Sequence, residues 1–516
     1  RIRMSASHRC RFYIGTAARV KENDRWRSRL AREESKTLRG RPAWRAAIER
    51  CRIVFARRGR YNAAGCDHAG KCCEEALMCK RYRCACLLIA MVCVLASPAI
   101  SGERRPAKGQ PPGPPKPSEN AGRTGIYQAK TSREGNNYFV YVPKSYSDDN
   151  PAGLHLFFHG QGGQGGAGGF GQWQNYFLEP YNLIGINMQY MDGDNLKDTP
   201  GKIASAWEAV QQVMADYKVL PRGAVASFSG GGLPHSGFYA KYGKRSQDAA
   251  GQTFPFNHMA LYGSNFWGRS SGSDGSFSWF VGLGSEEWNM GQPTLGTTQP
   301  AKFNEVLKES LKGGSCDIYL KITKGKGHSI SNEDVRDSAA QFHRSDLATC
   351  PFIYAADYRE PELRPIVSAA NRLQLSSAAA SVGELLARQN LPDDLRAKAL
   401  KLKERIDRRI DEVVTLMKEL AATDAVLTSY YAPIFLKQLG SHPKAEEVKE
   451  AVASAGKDRN FSASLNAWSS FARSFERFFN GPKLNAEVAP MLEKFKGVAG
   501  EKALLGKMCT EFLMLQ

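Results

Sequence analysis

One short stretch limits what this chain can fold into more than any other: Ala226-Ser-Phe-Ser-Gly-Gly-Gly232. It follows the apolar run Gly223-Ala-Val-Ala-Ser-Phe228 and precedes a segment of helical pattern, Leu233 to Lys244. A strand that enters a helix through so tight a turn holds the corner residue, Ser229, clear of its neighbours. The helix start beneath it offers free N–H groups and a partial positive charge. Small residues are needed on both sides, because the backbone nearly folds onto itself. Gly231 fills the position two after Ser229. Ser227 stands two before it, where glycine is usual, so the pattern G-x-S-x-G is one residue short. Ser229 is a candidate nucleophile, to be weighed against a plain Gly/Ser-rich loop.

The surrounding pattern sets the fold class. Gly125-Ile-Tyr-Gln-Ala129 and Asn137-Tyr-Phe-Val-Tyr-Val-Pro143 read as two strands around a turn at Glu134-Gly-Asn-Asn137. Leu154-His-Leu-Phe-Phe158 is a short apolar run of the kind buried in parallel sheets. Asn182-Leu-Ile-Gly-Ile-Asn187, a helix over about 203–217, the strand leading to Ser229, His258-Met-Ala-Leu-Tyr262, Ser278-Trp-Phe-Val-Gly-Leu283 and Asp317-Ile-Tyr-Leu-Lys-Ile322 follow, with a helix predicted at Ala301 to Leu311. Strands alternating with helices imply an α/β fold, a mostly parallel sheet covered on both faces. Past Pro351 the strand signal stops. Leu395, Ala399, Leu402, Ile406, Ile410, Val413, Met417 and Leu420 recur at steps of three and four, which predicts a long amphipathic helix from Asp393. Six or so helices fit an all-α region, with Trp468, Phe471, Phe475, Phe478 and Phe479 as core. The expected organisation is an α/β domain over 124–350 and a helical domain over 351–516.

Charge and cysteine use bear on the ends. Of the formal net charge of +20 of the 516-residue chain, +12 comes from residues 1–77, which carry 20 Lys+Arg against 8 Asp+Glu. A basic nucleic-acid arm is one reading of that segment. Sequence upstream of a working start at Met78 is the preferred one, so nucleic acid is not an expected partner. From Met78 a basic stretch, Met78-Cys-Lys-Arg-Tyr-Arg83, leads into apolar residues 84–96 and then small residues to Ser101. That order is a secretory signal peptide over 78–101, too short for a comfortable span; contact with a membrane is expected only if it stays uncleaved. A Pro-rich linker follows over 102–123. The expected location is therefore exported, periplasmic or extracellular. Nine of the 12 cysteines lie at or before Cys93, leaving Cys316, Cys350 and Cys509. Cys316 and Cys350 form a disulfide, or all three are buried thiols.

A serine attacks well only when a base takes its proton and donors hold the oxyanion. The base candidate is His328, in Lys324-Gly-Lys-Gly-His-Ser329 after the last strand; His155, His235 and His258 fall inside or against predicted elements. The acid should follow the preceding strand. Glu287 sits three after Gly284, and Glu286 is its close competitor. Oxyanion donors are expected from the N–H groups of Gly230 and Gln161, the latter in His159-Gly-Gln-Gly-Gly163. Gly160-x-Gly162-x-x-Gly165 also spells a dinucleotide fingerprint, which is rejected because no acid ends the next strand. Trp173, Phe266, Trp267 and Trp288 are aromatic candidates for the site or for core.

Tyr141-Val-Pro-Lys-Ser-Tyr146, His159-Gly-Gln-Gly-Gly163, Ser227-Phe-Ser-Gly-Gly231, Gly284-Ser-Glu-Glu287 and Gly327-His-Ser329, in that order, resemble the α/β-hydrolase fold. The resemblance is to secreted feruloyl esterases, acetylxylan esterases and polyhydroxybutyrate depolymerases, over about residues 124–350. It implies a serine esterase with a Ser229–His328–Glu287 triad, an acyl-enzyme intermediate, no cofactor or metal, and a small-molecule or polymeric ester as substrate. A serine peptidase of the same fold and a catalytically degenerate binding protein are the alternatives. The helical region has no counterpart in the resemblance, and oligomeric state is not legible.

Overall fold

The computed structural model describes residues 115–162, 165–190, 198–243, 254–264, 278–289, 317–480 and 483–515. The extension, the signal segment, most of the linker, the helix expected at Ala301 to Leu311, Cys316, Phe266 and Trp267 lie outside them.

Eight strands form one sheet: β1 (Gly125–Lys130), β2 (Asn136–Val142), β3 (Ala152–Phe158), β4 (Leu183–Tyr190), β5 (Val219–Phe228), β6 (His258–Tyr262), β7 (Ser278–Gly284) and β8 (Ile318–Thr323). Their order is β1-β2-β4-β3-β5-β6-β7-β8. β2 runs antiparallel to both β1 and β4, and every pair from β4 onward is parallel. This order is that of the α/β-hydrolase fold. β3, β6 and β7 are buried at every residue, as strands covered on both faces must be. Helices α1 (Thr199–Asp216) and α2 (Gly232–Phe238) cover one part of the sheet, and α4 (Asn332–Thr349) another; α3 (Ser285–Asn289) is a single short turn after β7. Because β3 to β8 are parallel, their carboxyl ends share one edge, and loops from several strands converge there.

The C-terminal region contains eight described helices rather than about six: α5 (Arg364–Asn371), α6 (Leu375–Leu386), α7 (Asp393–Thr423), α8 (Ala425–Leu439), α9 (Ala445–Gly456), α10 (Arg459–Ser474), α11 (Ala489–Ala499) and α12 (Leu504–Leu513). The apolar stripe of α7 is buried as the periodicity predicts, from Ala399 through Leu420. Trp468, Phe471, Phe475 and Phe478 are core, and Phe471 stacks on Phe512 at 6.0 Å. A two-residue hairpin at Phe479–Asn480 and Lys483–Leu484 was not foreseen; pairs this short leave no alternation to read. Cys350 and Cys509 are buried free thiols. Among the described residues no helix is long and apolar enough to cross a membrane.

The helices are fastened to the sheet by buried polar contacts. Asp317, just before β8, accepts from Arg344 through both carboxylate oxygens and from Tyr431 of α8 at 2.6 Å. Gln438 donates to the carbonyls of Leu347 and Ala348 at the end of α4. β8 is the last strand of the sheet, and α12 lies along it. Glu511 of α12 accepts from the Ile322 N–H at 2.9 Å and from the Tyr319 hydroxyl at 2.6 Å. A carboxyl oxygen thus takes up a backbone donor that an edge strand otherwise leaves open.

Candidate active site

β5 ends at Phe228, a short 3₁₀ turn covers Ser229–Gly231, and α2 begins at Gly232. Ser229 has φ +52°, a left-handed conformation that costs a non-glycine residue energy and that persists only where its surroundings enforce it. The enforcement is visible at Gly231. A Cβ there would lie 2.4 Å from the Phe158 carbonyl oxygen and 2.6 Å from that of His159, so only glycine fits under the loop after β3. Ser264, just past β6, donates its hydroxyl to the Ser229 carbonyl at 2.6 Å. Ser227, the residue that breaks the motif, is fully buried and turns its hydroxyl to His235 Nδ1 of α2 at 2.9 Å. The departure from glycine is a strand-to-helix tie beneath the turn.

His328 stands in the loop after β8. Its Nδ1 meets Glu287 Oε1 at 2.8 Å, and Glu287, in the first turn of α3, is 2 % exposed. Glu286 points to solvent, which separates the two glutamates that the sequence left in competition. The two loops are laced together. Gly325 N–H donates to Ser285 Oγ at 2.8 Å, and Glu286 N–H to the Lys326 carbonyl at 3.1 Å. At Gly284 a Cβ would lie 1.9 Å from the Lys326 carbonyl oxygen, so glycine is required for this approach. Gly263 borders the pair itself: with φ +52°, its Cβ would lie 3.0 Å from both Glu287 Oε1 and His328 Nδ1.

Ser229 lies on the same edge. The Phe228 ring sits 4.7 Å from the His328 ring, centroid to centroid, and Gly263 and Ser264 touch the His328 side and the Ser229 side respectively. Among the described residues no hydrogen bond joins the Ser229 hydroxyl to His328, whose Nδ1 is held by Glu287. A Cβ placed on Gly230 would be 3.3 Å from the Gln161 nitrogen, so the two expected oxyanion donors are neighbours. The His328 side chain is 37 % exposed. His155, His235 and His258 are buried, and burial pushes the first two down to about 3 and the third well below the usual histidine range. They are neutral core groups: His155 packs 4.7 Å from Trp173, which is core as well.

Beside the His328 loop runs a groove of about 620 Å³, lined by Phe157, Gly168, Gly169, Gln172, Asn175 and Ile330 among others. Gln172 Nε2 donates to the Ile330 carbonyl at 3.1 Å, joining two of its lining residues. No cluster of metal-ligating side chains occurs among the described residues. Sequence reading missed Gly263, Ser264 and Ser285. The first two directly follow the strand predicted at His258 to Tyr262, and a glycine at that carboxyl end was the signal available.

No family model and no curated protein sequence matches the chain. Solved structures do. A thermostable esterase is 13% identical with a TM-score of 0.30, over 43% of this chain and 59% of its own. A feruloyl esterase module from Clostridium thermocellum is 12% identical with a TM-score of 0.29, over 44% of this chain and 89% of that one. An IroE-like serine hydrolase from Shewanella oneidensis is 10% identical with a TM-score of 0.31, over 55% and 98%. The chain thus spans less than two thirds of the thermostable esterase. By strand order and by the turn at Ser229, the protein is of the α/β-hydrolase fold class.

Proposed function

We propose that the protein is an exported serine hydrolase acting on a carboxylic ester. The observation that carries this reading is the His328–Glu287 pair at 2.8 Å, held on the same sheet edge as the strained turn of Ser229. In this reading Ser229 Oγ attacks the ester carbonyl while His328 Nε2 takes its proton. Glu287 receives the Nδ1–H, fixes the tautomer and stabilises the imidazolium. The N–H groups of Gly230 and Gln161 hold the oxyanion as the tetrahedral intermediate forms. His328 then returns the proton to the leaving alcohol, and water repeats the sequence on the acyl-enzyme. In this reading the groove that includes Ile330, two residues past His328, takes the acyl or alcohol part.

A fluorophosphonate probe tests this directly. Labelling of the wild-type chain that vanishes in Ser229→Ala is the expected result. A folded wild-type protein that takes no label overturns the reading. A panel of esters from acetyl to long-chain and feruloyl then assigns the acyl preference.

A further inference from the structure

The opposite end of the sheet carries a second concave site. Asn150 and Pro151 precede β3, Asn182 precedes β4 and Arg222 lies early in β5, so these residues share the amino-terminal edge of the parallel strands. Helix α7 crosses there, and the two enclose a cavity of about 300 Å³. Four guanidinium groups line it: Arg222 from the sheet, and Arg405, Arg408 and Arg409 from α7.

Their charge is only partly balanced. Arg222 Nη1 and Arg409 Nη1 both bind Asp346 Oδ2 at 3.2 Å, two cations on one carboxylate. Side-chain exposure here is 14 % for Arg222, 5 % for Arg409 and 4 % for Asp346, so this ion cluster is buried, whereas Arg408 is 61 % exposed. Glu412 approaches Arg409 only to 3.9 Å. Arg408 reaches Glu404 on the outer face of α7 at 2.7 Å, and Arg405 donates to the Asp149 carbonyl. Among the described residues each of these two spends one nitrogen, and most of its five N–H donors have no protein acceptor there. The cavity lining carries four arginines against two carboxylates, Asp346 and Glu412, while Glu404, Asp407 and Asp411 lie beside Arg408 on the neighbouring face of α7. His343, which also borders the cavity, is held below its usual range by burial and, further, by the nearby Arg409, Arg344 and Arg222, against the pull of Asp346.

Forked guanidiniums match the spacing of oxygens on a tetrahedral oxyanion. Pro151, Pro180, Leu220 and Phe352 add apolar wall that suits a small carbon skeleton, beside the amides of Asn150 and Asn182. We propose that this cavity binds a phosphate group, free or as the monoester of a small alcohol, and that the bound anion bridges α7 to the amino-terminal edge of the sheet. This site is independent of the catalytic reading above.

The test is isothermal titration and thermal unfolding of the full chain with inorganic phosphate and, separately, glycerol 3-phosphate. Sodium chloride at matched ionic strength serves as control, because a basic chain attracts anions nonspecifically. The expected result is saturable binding of one equivalent and a rise in midpoint of about 3 °C at a hundredfold excess over Kd. Arg405→Gln/Arg408→Gln should lose at least tenfold in affinity while keeping fluorophosphonate labelling. Tighter binding of glycerol 3-phosphate than of phosphate identifies a monoester site, and equal binding a free-phosphate site. Absence of saturable binding, or binding unchanged in the double variant, overturns the proposal.

Discussion

Glu287→Gln isolates what the buried acid does. The glutamate lies between two partners: Oε1 faces His328 Nδ1 at 2.8 Å, and Oε2 faces the Gly284 N–H at 3.5 Å. A glutamine of the same shape must place its oxygen toward the Gly284 donor and its amide nitrogen toward His328. Nδ1 then becomes an acceptor, and the ring proton moves to Nε2, the atom that in the proposed mechanism accepts the proton of Ser229. The wrong tautomer dominates although the packing is unchanged. Loss of the acid by this route costs on the order of 10³ to 10⁴ in rate, about 4–5.5 kcal/mol of transition-state stabilisation. The assay is the second-order rate of fluorophosphonate labelling, which needs no knowledge of the natural ester, with a melting curve to show that the fold persists. Glu286→Gln, at the exposed neighbour, should label as wild type. If Glu287→Gln labels within tenfold of wild type, His328 is not oriented by Glu287 and the triad is wrong.

Three further outcomes follow from particular contacts. Gly263→Ala should lose about 1–3 kcal/mol in chemical denaturation and label more slowly, because its backbone is left-handed and the added methyl meets both Glu287 and His328. Ser227→Ala should cost about 1–3 kcal/mol in denaturation by leaving buried His235 Nδ1 without its partner, and labelling within severalfold of wild type would separate a structural tie from a chemical role. Burial pushes Glu511 up to about 8 from 4.5, against the hydrogen bonds from Tyr319 and Ile322 and the charge of Lys321, with Asp337 adding to the rise. Its folded pKa is the higher one, so its contribution is full below about pH 4.5 and is lost as pH rises to 8, at about 1.4 kcal/mol per unit. Glu511→Gln should flatten that slope in denaturation curves taken across the window; an unchanged slope would show that Glu511 does not cause it.

The sheet was legible because β3, β6 and β7 are buried on both faces and so appear as unbroken apolar runs between turn residues. Their order followed from alternation with helices. The pairing of His328 with Glu287 rather than Glu286 was only partly legible: both glutamates stand side by side in the first turn of the same short helix, and the turn that faces Glu287 inward packs where Gly284 approaches Lys326, a contact between loops about forty residues apart in the chain. The tie from Ser227 to His235 was hidden for a similar reason, since a hydroxyl in place of glycine reads as a defect until its partner on α2 is located. The helical region was read as helices from the period of α7, but its purchase on the sheet was not. Asp317, Arg344, Tyr431, Arg409 and Asp346 are scattered singly along the sequence, and isolated charged residues carry no period.

The Glu511 contact has a consequence for the order in which the molecule is completed. During synthesis, β8 emerges nearly two hundred residues before the helix that caps it, as Ile322 and Glu511 stand 189 positions apart. For that interval the newly made sheet offers an open rim to any other strand in reach, including the same rim on a neighbouring nascent chain. A chain cut after residue 350 would remain in that condition permanently. The final closure of the sheet is thus deferred to residues 504–513, and the dangerous interval for association is set by the time taken to make the helices between.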